Sequence, residues 1–165
     1  MSAVDLTTLQ ASPIGTEFED ISAVRASGAR ANFIGGSPTS STAVVELDLA
    51  SGQAAKLKLS TTQDVEALRG YLSVPEPVTF DTENDLQAHG LFYPPQNADF
   101  AAPAGELPPL LVQCHGGPTA AASPTLSWGT QNWTSRGFAV LDVNYGQHRL
   151  WPRVPASVAG ELGRR

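Results

Sequence analysis

The sequence predicts a two-part chain of β plus α/β class. Its first half should form a small antiparallel sheet, and its second half a strand–helix–strand unit with parallel strands. Three observations carry this. Apolar and polar residues alternate with period two over 18–59, as in half-buried strands. A proline-bearing segment, Leu72–Pro77, then interrupts the pattern. Beyond it, two continuous apolar runs, Leu110–Cys114 and Phe138–Tyr145, flank a stretch with helical spacing.

Phe18–Arg25 alternates cleanly, and Ser27-Gly28 breaks it. Arg30–Ile34 is a second short run. Gly35–Ser41 reads as a loop by composition. Thr42–Leu49, rich in β-branched residues, is a third strand. Ser51-Gly52 closes a tight turn, and Gln53–Leu59 alternates again. Four short antiparallel strands in this length match one propeller blade. A blade buries its faces against neighbours, and repeat architectures need roughly three units. On the pattern alone two readings stand: one blade, or a small antiparallel sheet of an ordinary α+β domain.

Thr61–Arg69 is polar with some helical spacing. Leu72–Pro77 should be extended, because each proline removes a donor and pushes its predecessor out of the helical region. A domain boundary is expected near Ser73. Val78–Thr82 and Ala88–Tyr93 read as two strands joined by a turn at Glu83–Asp85. Pro94–Pro109 is a long surface loop. Leu110–Cys114 has the continuous apolar character of a central strand covered on both faces. Ser127–Arg136 should be a helix using Trp128 and Trp133 on one face, with Gly137 as its terminator. Phe138–Tyr145 is the second buried strand.

Composition narrows the function. The chain has 165 residues, 10 Lys plus Arg against 16 Asp plus Glu, and a net charge of −6. No basic stripe is available to neutralise phosphates, so nucleic-acid binding is disfavoured. No apolar run approaches the ~20 residues that cross a bilayer, so no membrane partner is expected. The start, Met1–Asp5, lacks the basic and apolar regions of a secretory signal. A single cysteine, Cys114, can form neither an internal disulfide nor a zinc site, which fits a reducing cytoplasm. No cofactor is implied. The 15 glycines and 13 prolines suit a turn-rich, strand-rich chain.

His115-Gly116-Gly117-Pro118 follows the first apolar strand at once. Adjacent glycines there let the backbone turn sharply and expose N–H groups at the carboxyl end of a strand, where α/β sheets bind ligands. Exposed donors suit a developing oxyanion. The same residues also suit a plain strand-to-loop turn.

Ser73–Pro77, the hairpin after it, Tyr93-Pro94-Pro95, Leu110–Pro118 and Trp133–Tyr145 together resemble the prolyl oligopeptidase family. The likeness is nearest its dipeptidyl-aminopeptidase and acylaminoacyl-peptidase branch, and covers roughly residues 18–146. It implies an N-terminal β-propeller joined to an α/β-hydrolase domain, hydrolysing short peptides with a Ser-Asp-His triad. By this resemblance residues 1–72 carry the last propeller blade, and 73–146 the truncated start of the hydrolase sheet. His115, Gly116 and Gly117 correspond to the oxyanion-hole segment, with the Gly116 N–H as donor. His115 is not the catalytic base, which follows the nucleophile and acid in chain order.

The nucleophile elbow G-x-S-x-G occurs nowhere in the sequence. Ser127 lacks the preceding glycine, and Ser157 lacks both. His89 falls in the early hairpin, and His148 in a segment where the family pattern is lost. After Asn144-Tyr145-Gly146 the family continues with glycine, serine, threonine, glycine, tyrosine, glycine and arginine. Gln147–Pro155, back-translated with G/C-rich codons and read one base later, yields serine, threonine, glycine, tyrosine, glycine, arginine, alanine and tyrosine, the family's continuation. Residues 147–165 are therefore expected to be an out-of-frame tail. The expectation is a fragment of a serine peptidase for short peptides, inactive alone because no triad is encoded. The alternative is a non-catalytic module that captures a partner through exposed strand edges.

Overall fold

The computed structural model describes residues 1–83, 86–116 and 120–144. The tail at 147–165, Gly117, Pro118 and the Asn84-Asp85 turn lie outside the described residues.

A short hairpin of β1 (Ser2–Val4) and β2 (Ala11–Pro13) opens the chain. Sequence patterning did not anticipate it. Next comes an antiparallel meander of β3 (Asp20–Ser27), β4 (Arg30–Ser37), β5 (Ser40–Asp48) and β6 (Ala54–Leu59), paired in chain order. Gly28 and Gly52 have φ of 59° and 72°, which the two tight connections require. At the second, Asp48 Oδ1 accepts from the amides of Ala50 and Ser51, closing an Asx turn. This pulls the Asp48 carboxyl below its usual value, chiefly through the Ser51 amide.

Phe33, Val45, Leu47, Ala31 and Ala43 form the core of this sheet with Phe18, which lies edge-on to Phe33. Two expectations change here. Gly35–Ser37, expected as loop, continues β4, because Ala43 opposite Gly35 and Ser40 opposite Ser37 extend the ladder. A Cβ at Gly35 would lie 2.7 Å from Phe18, so glycine makes room for the ring. Of the alternating residues of β3 only Asp20 and Ile21 are half-buried. β3 is an edge strand, exposed from Ser22 onward, with an irregular register between Ser22 and Arg25.

A 3₁₀ turn at Arg69–Tyr71 leads into the second sheet, β7 (Glu76–Asp81), β8 (Gln87–Tyr93), β9 (Leu110–Cys114) and β10 (Ala139–Asn144), with order β7-β8-β10-β9. β7 and β8 form the expected hairpin. β9 and β10 run parallel, joined by α1 (Trp128–Thr134). Leu91, Tyr93 and Val140 form its core, with Leu111 and Ala122 against them.

β9 was expected to be buried on both faces. It instead lies at the sheet edge, with Leu110 51% and Val112 64% exposed. Its apolar run has a partner on one side only among the described residues. The helix also differs. Ser127 caps it through Thr130 N, and Gly137 with φ of 88° follows it, the latter as expected. Its buried face, however, is Thr130, Gln131 and Thr134, while Trp128 and Trp133 remain 39% and 44% exposed. The reason is Ser73. Its amide donates to Gln131 Oε1 at 2.7 Å, and its carbonyl accepts from Gln131 Nε2 at 2.9 Å. Ser73 Oγ further donates to the Pro94 carbonyl. The segment before β7 is thereby pinned to α1 through a satisfied polar contact.

Candidate functional site

The carboxyl ends of β9 and β10 come together, since Val143 pairs with Cys114 and Asp142 with Gln113. His115 and Gly116 therefore emerge beside Asp142 and Asn144. His115 is half-buried and Gly116 exposed. A Cβ added at Gly116 would meet nothing within 4 Å, so the backbone there faces open space. Gly117, the third member of the sequence-derived segment, lies outside the described residues.

Asp142 has its carboxyl raised above the usual range by burial. Hydrogen bonding from Gln113 Nε2, at 3.1 Å, and the charge of His115 act in the opposite direction. Burial also pushes the Tyr93 hydroxyl up to about 12, with the Asp142 charge adding to it. Asn144 Oδ1 accepts from the Ala122 amide at 2.8 Å, tying the strand end to the segment after Gly116. Cys114 is exposed. His89, near the start of β8, pairs with Asn144 of β10, and its Nδ1 shares a hydrogen bond with Thr79 Oγ1 at 2.9 Å across the β7–β8 pair. That is a sheet contact, as its place in the hairpin suggested.

Residues 120–127 connect this site to the first sheet. Ser123 Oγ donates to Asp20 Oδ2 at 2.5 Å, and the Leu126 amide donates to the Ser37 carbonyl at 2.9 Å. Sequence reading missed both. Asp20 and Ser123 are 103 positions apart, and no local pattern links them.

A cleft of about 570 Å³ lies elsewhere, lined among others by Leu68, Tyr71, Trp128, Gln131 and Arg136. Among the described residues no group of three or more His, Cys, Asp or Glu side chains could hold a metal ion. No helix among them is long and apolar enough to cross a membrane.

No family model matches the chain, and no curated protein matches it. Solved structures do, peptidases among them. A puromycin-hydrolysing peptidase from Mycobacterium tuberculosis is 34% identical over 88% of this chain, with a TM-score of 0.81. Puromycin hydrolase is 33% identical over the same share, with a TM-score of 0.77. An acylaminoacyl peptidase from Pyrococcus horikoshii shares the fold at 20% identity over 82% of the chain, with a TM-score of 0.59. These neighbours are consistent with a fragment of a peptidase of the prolyl oligopeptidase family. The chain spans 22% of the length of the first two relatives and 20% of the third.

Proposed function

We propose that this chain is part of a serine-type peptidase that cleaves short peptides, releasing dipeptides or acylated residues. In this reading β3–β6 is a propeller blade, and β7–β10 with α1 opens an α/β-hydrolase sheet. One observation carries it: the order β7-β8-β10-β9, with His115 and Gly116 in the connection between the sheet's third strand and its first helix. In α/β-hydrolases that connection supplies an oxyanion-hole N–H. His115, Gly116 and Gly117 would hold the negative oxygen of a tetrahedral intermediate, with Gly116 N–H as donor.

The chain alone has no acyl chemistry to perform. A donor without nucleophile, base and orienting acid has no reaction to assist. Incubation with dipeptidyl and acyl-alanyl chromogenic amides, and with puromycin, should give no turnover. Turnover abolished by a serine-directed inhibitor would defeat this. The peptidase reading itself is tested by the nucleotide sequence after the Tyr145 codon. A shift of one base should restore the family continuation in place of residues 147–165. A reading in which it does not removes the out-of-frame proposal.

A second reading has support from β9. Its apolar edge, unpaired among the described residues, could pair with a strand of another protein. In this reading the chain is a non-catalytic interaction module. A discrete, saturable partner in pull-downs that is lost with Val112→Lys favours it. Aggregation without such a partner favours the peptidase part. Cytoplasmic residence is part of the proposal and rests on the single, exposed Cys114.

A further inference from the structure

We propose that the cleft between α1 and the 3₁₀ turn at Arg69–Tyr71 binds a small amphipathic carboxylate, with its anionic end on Arg136 and its apolar body along the Trp128 end. The inference goes beyond the peptidase reading, since no lining residue belongs to the His115–Gly116 segment. The cleft holds about 570 Å³, within the roughly 300–1,000 Å³ of small-molecule sites. Part of its lining is a single helical face. Trp128, Gln131, Asn132, Ser135 and Arg136 recur at the three- and four-residue spacing that stacks side chains along a helix. Leu68, Tyr71 and Leu72 add apolar lining from the segment that Ser73 ties to Gln131. Trp128 and Ser135 are seven residues apart, about 10 Å at the helical rise. The site is therefore elongated, with an indole towards one end and a guanidinium towards the other.

The hydrogen bonds already made in the lining set the ligand's chemistry. Asn97 Oδ1 accepts from the Asp99 and Phe100 amides. Gln131 Oε1 accepts from the Ser73 amide and the Thr134 hydroxyl. Asn132 Oδ1 accepts from Arg136 Nη1 at 2.7 Å, and the Asn132 carbonyl accepts from the same nitrogen at 2.8 Å. Every side-chain amide oxygen of the lining is thus engaged. What remains is donors: Asn132 Nδ2, and Arg136 Nε and Nη2, have no protein partner among the described residues. Arg136 carries the single formal charge of the lining and forms no ion pair among the described residues. Asp99, which takes the Tyr71 hydroxyl at 2.6 Å, lies outside the lining. The two bonds through Nη1 fix the guanidinium before a ligand arrives, so binding costs less side-chain entropy. Nε and Nη2 share the other edge of the planar group, which meets both oxygens of a carboxylate. One cation, on a chain of net charge −6, suits a monoanion better than a phosphate dianion.

The test titrates 4-phenylbutyrate into the whole chain and follows the Trp128 indole N–H and the Asn132 side-chain amide by NMR. The control is 4-phenylbutyramide, which has the same body without the charge. The carboxylate should move both resonances saturably, and the amide should bind about tenfold more weakly or worse. Arg136→Gln should weaken the carboxylate about tenfold and leave the amide as it was. Arg136→Lys should recover only part of the loss, because an ammonium lacks the planar fork. Trp128→Ala should weaken both probes alike. Arg136 and Trp128 are exposed, so neither change opens the core, and unmoved β4, β5 and β10 amide resonances verify that each variant keeps the fold. Three results overturn the proposal: no saturable shift at millimolar probe, equal affinity for carboxylate and amide, or an Arg136→Gln variant that binds the carboxylate as wild type does. Turnover of a peptide substrate by the chain would defeat the inactive-fragment reading and leave this site standing, and the converse also holds.

Discussion

Replacing Gln131 tests the contact that joins the two halves of the second sheet's scaffold. Gln131 is buried, and its amide group is saturated by Ser73: it accepts from the Ser73 amide at 2.7 Å and donates to the Ser73 carbonyl at 2.9 Å. Thr134 Oγ1 adds a longer bond to the same Oε1, at 3.3 Å. Ser73 is only 1% exposed, so Gln131→Ala leaves a buried N–H and a buried C=O without partners. Each costs about 1–3 kcal/mol when orphaned. Gln131 also lines the 570 Å³ cleft, through which water can reach the gap. That places the sum at the low end, about 2 kcal/mol. The Ser73 amide should then exchange roughly thirtyfold faster, at 1.36 kcal/mol per decade. Hydrogen exchange measures this directly and does not need a cooperative global transition. Gln131→Met retains the side-chain volume and loses only the bonds, so it should show most of the same effect. Acceleration below about threefold in both variants would refute the reasoning.

Other consequences follow from single sites. Gly35→Ala forces a methyl to 2.7–2.9 Å from the Phe18 and Phe33 rings, neither of which has a free end to yield. Overpacking should cost about 1–3 kcal/mol, read as faster exchange in β4. Burial raises the Asp142 carboxyl above its ordinary 3.8, so the fold favours its neutral form. Stability is then fully present below that value and is lost as pH rises through the raised one. Asp142→Asn should therefore stabilise the β9–β10 pair at pH 7 and have no effect near pH 3, measured by thermal shift at both. Ser127→Ala removes the cap on Thr130 N and should loosen the first turn of α1 by about 1 kcal/mol, seen in exchange at Thr130. With so few covering elements for β9, thermal unfolding of the chain should be broad; a sharp two-state melt would contradict the exposure of Leu110 and Val112.

Much of the fold was readable from the residues in order. Period-two alternation located β3, β5 and β6, and continuous apolar runs located β9 and β10, because strand geometry is written in the spacing of side chains along one segment. Gly137 marked the end of the helix because a C-terminal cap is local chemistry. That His115 and Gly116 follow a strand end was legible for the same reason, since the end of an apolar run is local to that segment. What lay beyond a single sequence was which neighbour each face would meet. β9 has the composition of a central strand, yet sits at an edge, since composition records what a strand needs and not what stands beside it here. Trp128 and Trp133 looked like the inward face of α1, but Gln131 faces inward because Ser73, 58 positions earlier, offers it both a donor and an acceptor. Asp20 carried no local sign of its bond to Ser123 for the same reason. Its partner Ser123 is reached only once two sheets have formed and closed on each other, and a hydrogen bond across 103 positions leaves no periodicity in either segment.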